Sequence, residues 1–355
     1  MSLRALGWSP FFEEAFAPLA KTGLTAARVA VQHRGGYEIW TADEVLTADV
    51  SGRFRHEARR PSDYPAVGDW VGFDPIAGES RAVIQAVLPR RTKFSRTTAG
   101  LATEEQLVAT NIDEVFVIES LAAPPNLRRI ERLLTLAWES GATPTIVLTK
   151  ADLCGDVQVA VNAVSGVTKE TAVLAISCVD GKGVAAIKKG IRKGRTVALL
   201  GPSGVGKSTL INHLAGEESQ HVQAVRQDDQ KGRHTTTSRE MVFLPGGGVI
   251  IDTPGLRELQ LWEGEEGLES VFADIELLST RCRFTDCRHE KEPGCAVRQA
   301  VQEGALEATR LAGFHKLRTE VALFRQRRDM RARADERRRS QIATRSLRGQ
   351  RFDEE

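Results

Sequence analysis

The feature that most constrains the fold is a glycine-rich segment that lies between an apolar, strand-like run and a helix-forming run. The segment follows TVALL and leads into STLINHLAG, and it has the pattern G-x-x-x-x-G-K-S between Gly201 and Ser208. Its candidate phosphate-binding residues are Gly201, Ser203, Gly204, Val205, Gly206, Lys207, Ser208 and Thr209. The strand and helix on either side favour a phosphate-binding loop over the alternative, a glycine-rich turn that binds nothing.

Each residue type in this segment suits phosphate chemistry. Glycines allow consecutive backbone N–H groups to point at phosphate oxygens, and the start of a helix adds a favourable dipole. Lys207 would neutralise charge on the β- and γ-phosphates, and the hydroxyl of Ser208 would ligate Mg²⁺. The segment therefore predicts a nucleoside triphosphate and Mg²⁺ as ligands.

The residues around this loop predict an α/β domain. From about residue 108 to 252, the apolar runs VFVIES, TPTIVLT, AVLAIS, TVALL and GVIID alternate with segments of helical length. Strands that alternate with helices are typical of a mostly parallel sheet with crossover helices.

Two strand ends in this domain indicate the base of the nucleotide. Thr149-Lys150-Ala151-Asp152 closes TPTIVLT and resembles the N/T-K-x-D motif, in which the aspartate accepts hydrogen bonds from guanine N1–H and the 2-amino group. Ser177-Cys178 closes AVLAIS and resembles the S-A/C-x motif, whose backbone N–H binds guanine O6. Alone, a strand that ends in Lys and Asp is usually a solvated strand end. Together the two motifs favour GTP over ATP.

The segment after the phosphate-binding loop predicts the residues that respond to the γ-phosphate. Asp252-Thr-Pro-Gly255 matches D-x-x-G, in which the aspartate holds Mg²⁺ through water and the glycine N–H contacts the γ-phosphate; the alternative is an Asp-x-Pro-Gly turn. The polar stretch KGRHTTT at 231–237 stands where a first switch belongs, and Thr236 or Thr237 would complete the Mg²⁺ shell.

The catalytic group is predicted in the same stretch. Leu256 follows Gly255 where many GTPases have a glutamine that orients water. His234 is the nearest replacement, because an imidazole can orient or polarise water near neutral pH; the alternative is a surface histidine.

The order of these motifs is unusual. In an ordinary GTPase the phosphate-binding loop comes first, whereas here TKAD and ISC precede it and GRHTTT and DTPG follow it. We therefore predict a circularly permuted domain.

The chain on either side of this domain predicts two further modules. Residues 27 to 90 contain the short alternating runs RVAVQ, YEIWT, GDWVGFD and RAVIQAVLP, which indicate a small β-barrel of the OB type. Six side chains in this region offer either stacking and charge to RNA or the charged surface of a solvated strand pair: Arg53, Phe54, Arg55, His56, Arg59 and Arg60. The polar stretch from Lys93 to Gln106 is predicted to be a linker.

The C-terminal module contains a candidate metal site. Cys282-x4-Cys287-x-His289-x5-Cys295 supplies three thiolates and one imidazole, the ligand set of a closed structural Zn²⁺ site without an open position for water. The alternative is a chance group of reduced cysteines. Five cysteines, an odd number, fit a reducing compartment, and the sequence contains neither a membrane-length apolar run nor a signal peptide, so we expect a cytoplasmic protein.

The last part of the chain is basic. Residues 325–351 contain eleven arginines and three acidic residues, although the net charge of the whole chain is only +2. The segment is either a basic helix that contacts RNA phosphates or a solvated, partly disordered tail.

Taken together, these motifs resemble the RsgA (YjeQ) family of circularly permuted bacterial GTPases. The resemblance runs through PAVGDWV, LPRRTKFSR, ATNIDEVFVI, GPSGVGKSTLIN, GRHTTT, DTPG and CRFTDCRHEKEPGC. It implies an N-terminal extension and OB-fold over 1–98, a permuted α/β P-loop GTPase domain over 99–264, and a mainly helical zinc-binding domain with its arginine-rich tail over 265–355.

The resemblance also implies a function. It implies late maturation of the small ribosomal subunit, with GTP hydrolysis stimulated by that subunit and a catalytic histidine at His234. The expected partners are GTP, GDP and the small subunit with its rRNA, the expected cofactors are one structural Zn²⁺ and Mg²⁺ with GTP, and we expect a monomer without membrane association. Thr149, where asparagine is commoner, and the long tail depart from the family pattern.

Two other classes of function remain open at the level of the sequence. One is an RNA-binding scaffold in which GTP tunes conformation and hydrolysis is incidental. The other is a P-loop kinase or ATPase, which TKAD and ISC disfavour.

Overall fold

A computed structural model gives the architecture of most of the chain. The predicted residues His234, Thr236, Thr237 and Gly255 lie outside the part that it describes, as does almost all of the arginine-rich tail. The described residues are 2–33, 35–97, 105–168, 171–216, 239–252, 268–269, 271–319, 321–322, 326 and 330.

The N-terminal module is a five-stranded barrel, as the alternating runs predicted. Strand β1 pairs with β2 on one side and β4 on the other, and the parallel pair β3–β5 and the antiparallel pair β4–β5 complete the ring. The strands are β1 (Thr25–Gln32), β2 (Tyr37–Trp40), β3 (Val45–Val50), β4 (Trp70–Pro75) and β5 (Arg81–Val87). This strand order is that of an OB-fold.

Two helices accompany the barrel. Helix α1 (Pro10–Ala20) precedes β1 and packs Phe12 against Trp70 of β4, with ring centroids 5.8 Å apart. Helix α2 (Gly52–Glu57) follows β3, and its first turn is capped by Ser51, whose hydroxyl accepts from the N–H of Phe54. Alternate side chains of the strands, such as Ile39 and Ile84, fill the barrel interior because successive strand residues point to opposite faces.

A buried ion pair joins the residue before β4 to the segment that follows β5. Asp69 is fully buried, and both of its carboxylate oxygens accept from Arg90, at 2.8 and 2.7 Å. The N–H of Ala66 and the hydroxyl of Thr110 donate to the same carboxylate. Asp69 belongs to PAVGDWV and Arg90 to LPRRTKFSR, so this contact joins two of the motifs that carry the family resemblance.

The predicted linker between Lys93 and Gln106 is wrong at both ends. Strands β6 (Lys93–Thr97) and β7 (Glu105–Thr110) form an antiparallel pair with Phe94 opposite Ala109. The pairing explains the difference, because each strand is stabilised by pairing with the other rather than by an alternating apolar pattern of its own.

The central domain is the α/β sheet that the sequence predicted. Its strand order is β10-β9-β8-β11-β13-β12, with β12 antiparallel at one end and the other five strands parallel. The strands are β8 (Glu114–Ser120), β9 (Thr143–Thr149), β10 (Val173–Ala175), β11 (Thr196–Leu200), β12 (Arg239–Leu244) and β13 (Gly248–Asp252). The helices are α3 (Leu127–Glu139), α4 (Val157–Val167), α5 (Val184–Gly190) and α6 (Lys207–Ala215).

The chain path through this sheet is circularly permuted. It enters at the central strand β8, runs outward to β10, and then returns to β11 beside β8 before it adds β12 and β13. The base-recognition strands therefore precede the phosphate-binding strand, and the crevice between β8 and β11 is the point at which the strand order reverses.

The barrel and the central domain share backbone pairing and a buried arginine. Val31 and Gln32 of β1 pair with Glu240 and Arg239 of β12. The fully buried guanidinium of Arg28 donates to the carbonyls of Leu6, Gly68 and Asn111. Burial lowers the pKa of Arg28 to about 10, which leaves it charged at neutral pH.

The C-terminal module is mainly helical in its described part, and turns and bends occupy most of residues 280–295. It contains α7 (Ala273–Ser279), α8 (Ala296–Gln302) and further helical residues at 308–319. Phe272 and Phe314 form its core, with ring centroids 5.4 Å apart. Among the described residues no helix combines the length and the apolar character needed to cross a membrane. The predicted domain boundaries at 98 and 264 stay predictions, because both fall outside the described residues.

Candidate functional site

The predicted nucleotide residues that the structure describes converge at the carboxyl ends of the parallel strands. Strand β11 ends at Leu200 and β9 at Thr149, and β13 ends at Asp252 beside β11. Loops that follow parallel strands meet at this edge, which is where ligands of open α/β sheets bind. The order in the sheet puts the phosphate-binding loop between the base motif and Asp252.

The phosphate-binding loop requires glycine at its first position. A Cβ atom on Gly201 would lie 2.4 Å from the carbonyl oxygen of Ile118 in β8, so only glycine allows the loop to leave β11 this close to its neighbour. Gly204 and Gly206 have φ values of 78° and 98°, a region that glycine adopts without strain. Helix α6 then begins at Lys207 and directs its free N–H groups into the loop.

Lys207 occupies the interior of the loop. Its ammonium group donates to the carbonyls of Gly201 and Pro202, at 2.8 and 2.7 Å. The charge is therefore inside the ring of backbone groups that would surround a phosphate. Ser208 and Thr209 are exposed on the first turn of α6, and Ser203 is exposed in the loop.

The base motif is bonded directly to the phosphate-binding loop. The hydroxyl of Thr149, which is almost fully buried, donates to the carbonyl of Val205 at 2.5 Å. Lys150 has a left-handed backbone, and its ammonium group donates to the carbonyl of Gly204 at 2.8 Å. Thr149 therefore makes a polar contact with the loop through a hydroxyl, where a commoner asparagine would use an amide.

The second base motif adjoins the first. The N–H of Ala151 donates to the carbonyl of Ile176, which brings the end of β10 next to the turn that contains Asp152. Ser177 is fully buried, and its hydroxyl accepts from the N–H of Val179. Burial, with a smaller contribution from the charge of Asp152, raises the pKa of Cys178, so its thiol stays neutral in this pocket.

Two further charged residues, Glu119 and Arg129, form an ion pair at this end of the sheet. The sequence analysis did not identify them. Glu119 in β8 is almost fully buried, and Arg129 in α3 binds both of its carboxylate oxygens, with 2.9 Å between Arg129 Nε and Glu119 Oε2. The carbonyl oxygen of Glu119 lies 3.2 Å from the hydroxyl of Thr149. The only sequence signal was an acidic residue inside the apolar run VFVIES, where a charge is rare unless it is paired.

The four predicted metal ligands lie together. Their ligand atoms, on Cys282, Cys287, His289 and Cys295, are all within 4.8 Å of one another. The two sulfur atoms of Cys282 and Cys295 are 3.9 Å apart, and His289 Nδ1 lies 3.6 and 3.4 Å from them. A tetrahedral site with Zn–S bonds of about 2.3 Å has edges of about 3.8 Å between sulfurs, so the cluster can hold a metal ion of this size.

Local structure holds these ligands in place. Gly294 has a φ of 74° and lets the chain turn back to Cys295, which in turn caps α8 by accepting from the N–H of Arg298. His289 is buried against Phe314, and burial lowers its pKa, with further lowering by Arg318 and His315. The neutral imidazole favoured in this way is the form that binds metals.

The candidate RNA residues of the barrel border an open cavity. It has a volume of about 610 Å³, and its lining includes Tyr37, Tyr64, Arg55, Arg59 and Arg60. Burial raises the pKa of Tyr37 to about 12, so its ring presents a neutral hydroxyl to the cavity. Arg53 instead pairs with Glu57, and Phe54 packs against Tyr64. Three of the six predicted side chains thus face this cavity.

Comparisons with known proteins agree with this geometry. The model of the RsgA GTPase family matches residues 87–262. A protein of Opitutus terrae, "Small ribosomal subunit biogenesis GTPase RsgA", is 45% identical over 338 residues, which are 93% of this chain and 92% of that protein. A Streptomyces coelicolor protein of the same name is 45% identical over 341 residues, with 94% of this chain and 90% of that protein covered.

Solved structures give the same fold. The crystal structure of YjeQ from Thermotoga maritima superposes with a TM-score of 0.64 at 24% identity and covers 84% of this chain and 99% of that one. The structure of YloQ, described as a circularly permuted GTPase, gives a TM-score of 0.60 at 23% identity and covers 84% and 95% of the two chains.

Proposed function

Because the chain belongs to the RsgA GTPase family, we propose that it is a GTP hydrolase that acts in the biogenesis of the small ribosomal subunit. The curated relatives that it matches over nearly their whole length carry this role in their names. The observation that supports the nucleotide site most directly is the bond from the hydroxyl of Thr149 to the carbonyl of Val205, which joins the base motif to the phosphate-binding loop.

In this proposal, one edge of the sheet binds the nucleotide. Asp152 recognises guanine through its carboxylate, the N–H groups around Ser177 and Cys178 face guanine O6, and Lys150 covers the loop. The N–H groups of the residues from Ser203 to Thr209 surround the phosphates, and Lys207 leaves its carbonyl partners for the β- and γ-phosphates.

The remaining residues act on the γ-phosphate. Ser208 and Thr236 would hold Mg²⁺ together with Asp252, with Thr237 as the alternative ligand in the first switch. Mg²⁺ supplies charge that stabilises the transferring phosphoryl group. The N–H of Gly255 contacts the γ-phosphate, and His234 orients the attacking water.

The small subunit and its rRNA are the proposed partners. The arginines and tyrosines around the barrel cavity offer cationic and aromatic groups to RNA. The arginine-rich tail would add phosphate contacts. We propose that the protein works in the cytoplasm as a monomer, and that the bound metal is one structural Zn²⁺, because three thiolates and an imidazole in a closed tetrahedral arrangement are a zinc ligand set.

Guanine recognition is tested by Asp152→Asn. An amide in place of the carboxylate can donate to the 2-oxo group of xanthine and cannot accept both guanine donors. We therefore expect the variant to lose affinity for GTP and to gain affinity for xanthosine triphosphate in an equilibrium binding measurement. A preference for GTP that does not change would exclude this reading of TKAD and reopen a P-loop kinase or ATPase.

Hydrolysis is tested by His234→Ala. If His234 orients water, the variant should bind GTP as the unaltered protein does and lose the hydrolysis that small subunits stimulate, by about 100-fold or more, the usual range for a positioned acid–base group. Single-turnover hydrolysis with subunits measures this. Turnover that stays the same would remove His234 from the mechanism and favour an RNA-binding scaffold in which hydrolysis is incidental.

A further inference from the structure

Arg310 joins the C-terminal module to the central domain. Its guanidinium is buried, and it donates to Glu131 of α3 at 2.7 Å across a sequence separation of 179 residues. The same group donates to both carboxylate oxygens of Asp274, at 2.9 and 3.2 Å, and to the carbonyl of Val271 at 2.7 Å. Its central carbon lies 4.3 Å from the centre of the Phe272 ring.

Burial of this charged cluster costs desolvation free energy, and the cluster is stable only when its ion pairs and hydrogen bonds form together. Two carboxylates share one guanidinium, and burial, opposed by Arg310, raises the pKa of Glu131. Removal of the guanidinium would leave two buried carboxylates without a counter-charge. Gly313 packs over the cluster, and a Cβ atom there would lie 3.2 Å from Glu131 Oε2. The module therefore fits α3 in one defined position.

The same helix is bonded to the nucleotide site. Two residues before Glu131, Arg129 binds both carboxylate oxygens of Glu119 at the carboxyl end of β8. The backbone of this strand end contacts the phosphate-binding loop directly, since the carbonyl of Ile118 lies against Gly201. The carbonyl of Glu119 also lies 3.2 Å from the hydroxyl of Thr149, which donates to Val205 of the loop.

We propose that Arg310 is a positioning residue for the nucleotide site. In this proposal, α3 couples the docking of the C-terminal module on α3 to nucleotide binding, through the Arg310–Glu131 and Arg129–Glu119 contacts. The proposal rests on the proposed guanine-nucleotide site. Because energetic coupling is reciprocal, docking of the module on α3 strengthens nucleotide binding, and bound nucleotide stabilises the docked module.

The test combines Arg310→Met with Arg129→Met in a double-mutant cycle. Methionine keeps most of the side-chain volume and removes the guanidinium. We expect Arg310→Met to weaken binding of a fluorescent GDP analogue by about fivefold or more, the lower range of measured coupling between sites. In the Arg129→Met background the second substitution should have little further effect, because the contact that transmits it is already broken.

Control variants distinguish a positioning role of Arg310 from unfolding of the C-terminal module. Arg281→Met removes an exposed arginine of the same module and should leave the GDP affinity unchanged. Arg310→Lys keeps a charge and should recover part of the affinity. All variants are assayed at full zinc content, which shows that the module is folded. Hydrogen exchange gives the reciprocal readout, since GDP should slow exchange in 271–279 and 308–319 of the unaltered protein but not of Arg310→Met.

The outcomes distinguish this inference from the proposed function. If the unaltered protein binds no guanine nucleotide, both fail. If it binds GDP and zinc-loaded Arg310→Met binds it equally well, only the coupling fails. Full additivity of Arg310→Met and Arg129→Met would also overturn the coupling through α3.

Discussion

At the scale of single residues, the hydroxyl of Thr149 links the base motif to the phosphate-binding loop. It donates to the carbonyl of Val205 in the phosphate-binding loop from an almost fully buried position. An amide would reach the same loop with a longer side chain, so threonine requires the strand end to lie close to the loop. The end of β9 meets this requirement, because a Cβ atom on Gly206 of the loop would lie 3.8 Å from the Thr149 hydroxyl oxygen.

Thr149→Val removes this hydroxyl and keeps the shape of the side chain. The carbonyl of Val205 then loses a buried donor, which costs about 1 kcal/mol for a typical hydrogen bond, and the loop becomes less ordered. We expect GDP affinity to fall by about fivefold, as measured by equilibrium titration. Thr149→Ser retains the hydroxyl and is the matched control. Equal affinities of the valine and serine variants would show that this bond does not organise the site.

Much of the site was predictable at this scale because the signals are local. The spacing of Gly201, Gly206, Lys207 and Ser208 reports the shape of one loop, and the four metal ligands lie within one short segment. Arg129 and Glu119, or Arg310 and Glu131, could not be paired from sequence. Their contacts depend on how helices and strands distant in the chain pack together, and an isolated arginine carries no information about its partner.

At the scale of elements, we expect the C-terminal module to depend on its four candidate metal ligands. Helices α7 and α8 have only seven residues each, too few to be stable alone in water. The group of candidate metal ligands lies between the two helices in sequence. It connects Cys282, just after α7, to Cys295, which caps α8. Metal binding should therefore supply a large part of the folding free energy of this module.

Removal of the metal should unfold this module selectively. We expect one zinc per chain by elemental analysis, and we expect a chelator to increase hydrogen exchange strongly in 282–302 while the barrel stays protected. Cys282→Ser should lose zinc, whereas Cys154→Ser, which alters a half-buried cysteine outside the cluster, should keep it. A protein with fully reduced thiols that contains no metal and yet keeps a protected C-terminal module would contradict the structural role.

Comparison of the predicted and observed elements also shows which strands the sequence patterns did not predict. The five parallel strands of the central sheet were predictable because both faces are covered and each reads as a continuous apolar run, whereas the antiparallel β12 was not among the predicted runs. Strand β6 and the first two residues of β7 were predicted as a linker because the stretch from Lys93 to Gln106 is polar and has no alternating pattern. Their pairing is specified by contacts such as Phe94 with Ala109, which no local pattern announces.

At the scale of the whole molecule, the barrel, the sheet and the C-terminal module are joined by specific contacts. Gln32 at the end of β1 pairs with Arg239 at the start of β12, and β12 follows the predicted first switch directly in the chain. Gln32 also lines the barrel cavity. A partner that binds the barrel would therefore contact a strand that follows the predicted catalytic segment in sequence, which fits a GTPase whose activity depends on its partner.

The order of motifs gave this organisation in outline. The permutation was predictable because TKAD precedes the phosphate-binding loop. As a consequence, the D-x-x-G motif that begins at Asp252 is followed in sequence by the C-terminal module. The angle between the modules and the pairing of β1 with β12 were not predictable, because they arise from surfaces that meet only after each module has folded.

The central claim is that this molecule is a GTPase activated by the small ribosomal subunit. Steady-state hydrolysis of GTP and ATP by the purified, zinc-loaded protein, with and without small subunits and with large subunits as a control, tests it most directly. We predict slow hydrolysis of GTP alone and a large stimulation confined to GTP and to small subunits. Tight GTP binding without any stimulation, or equal hydrolysis of ATP, would contradict the account.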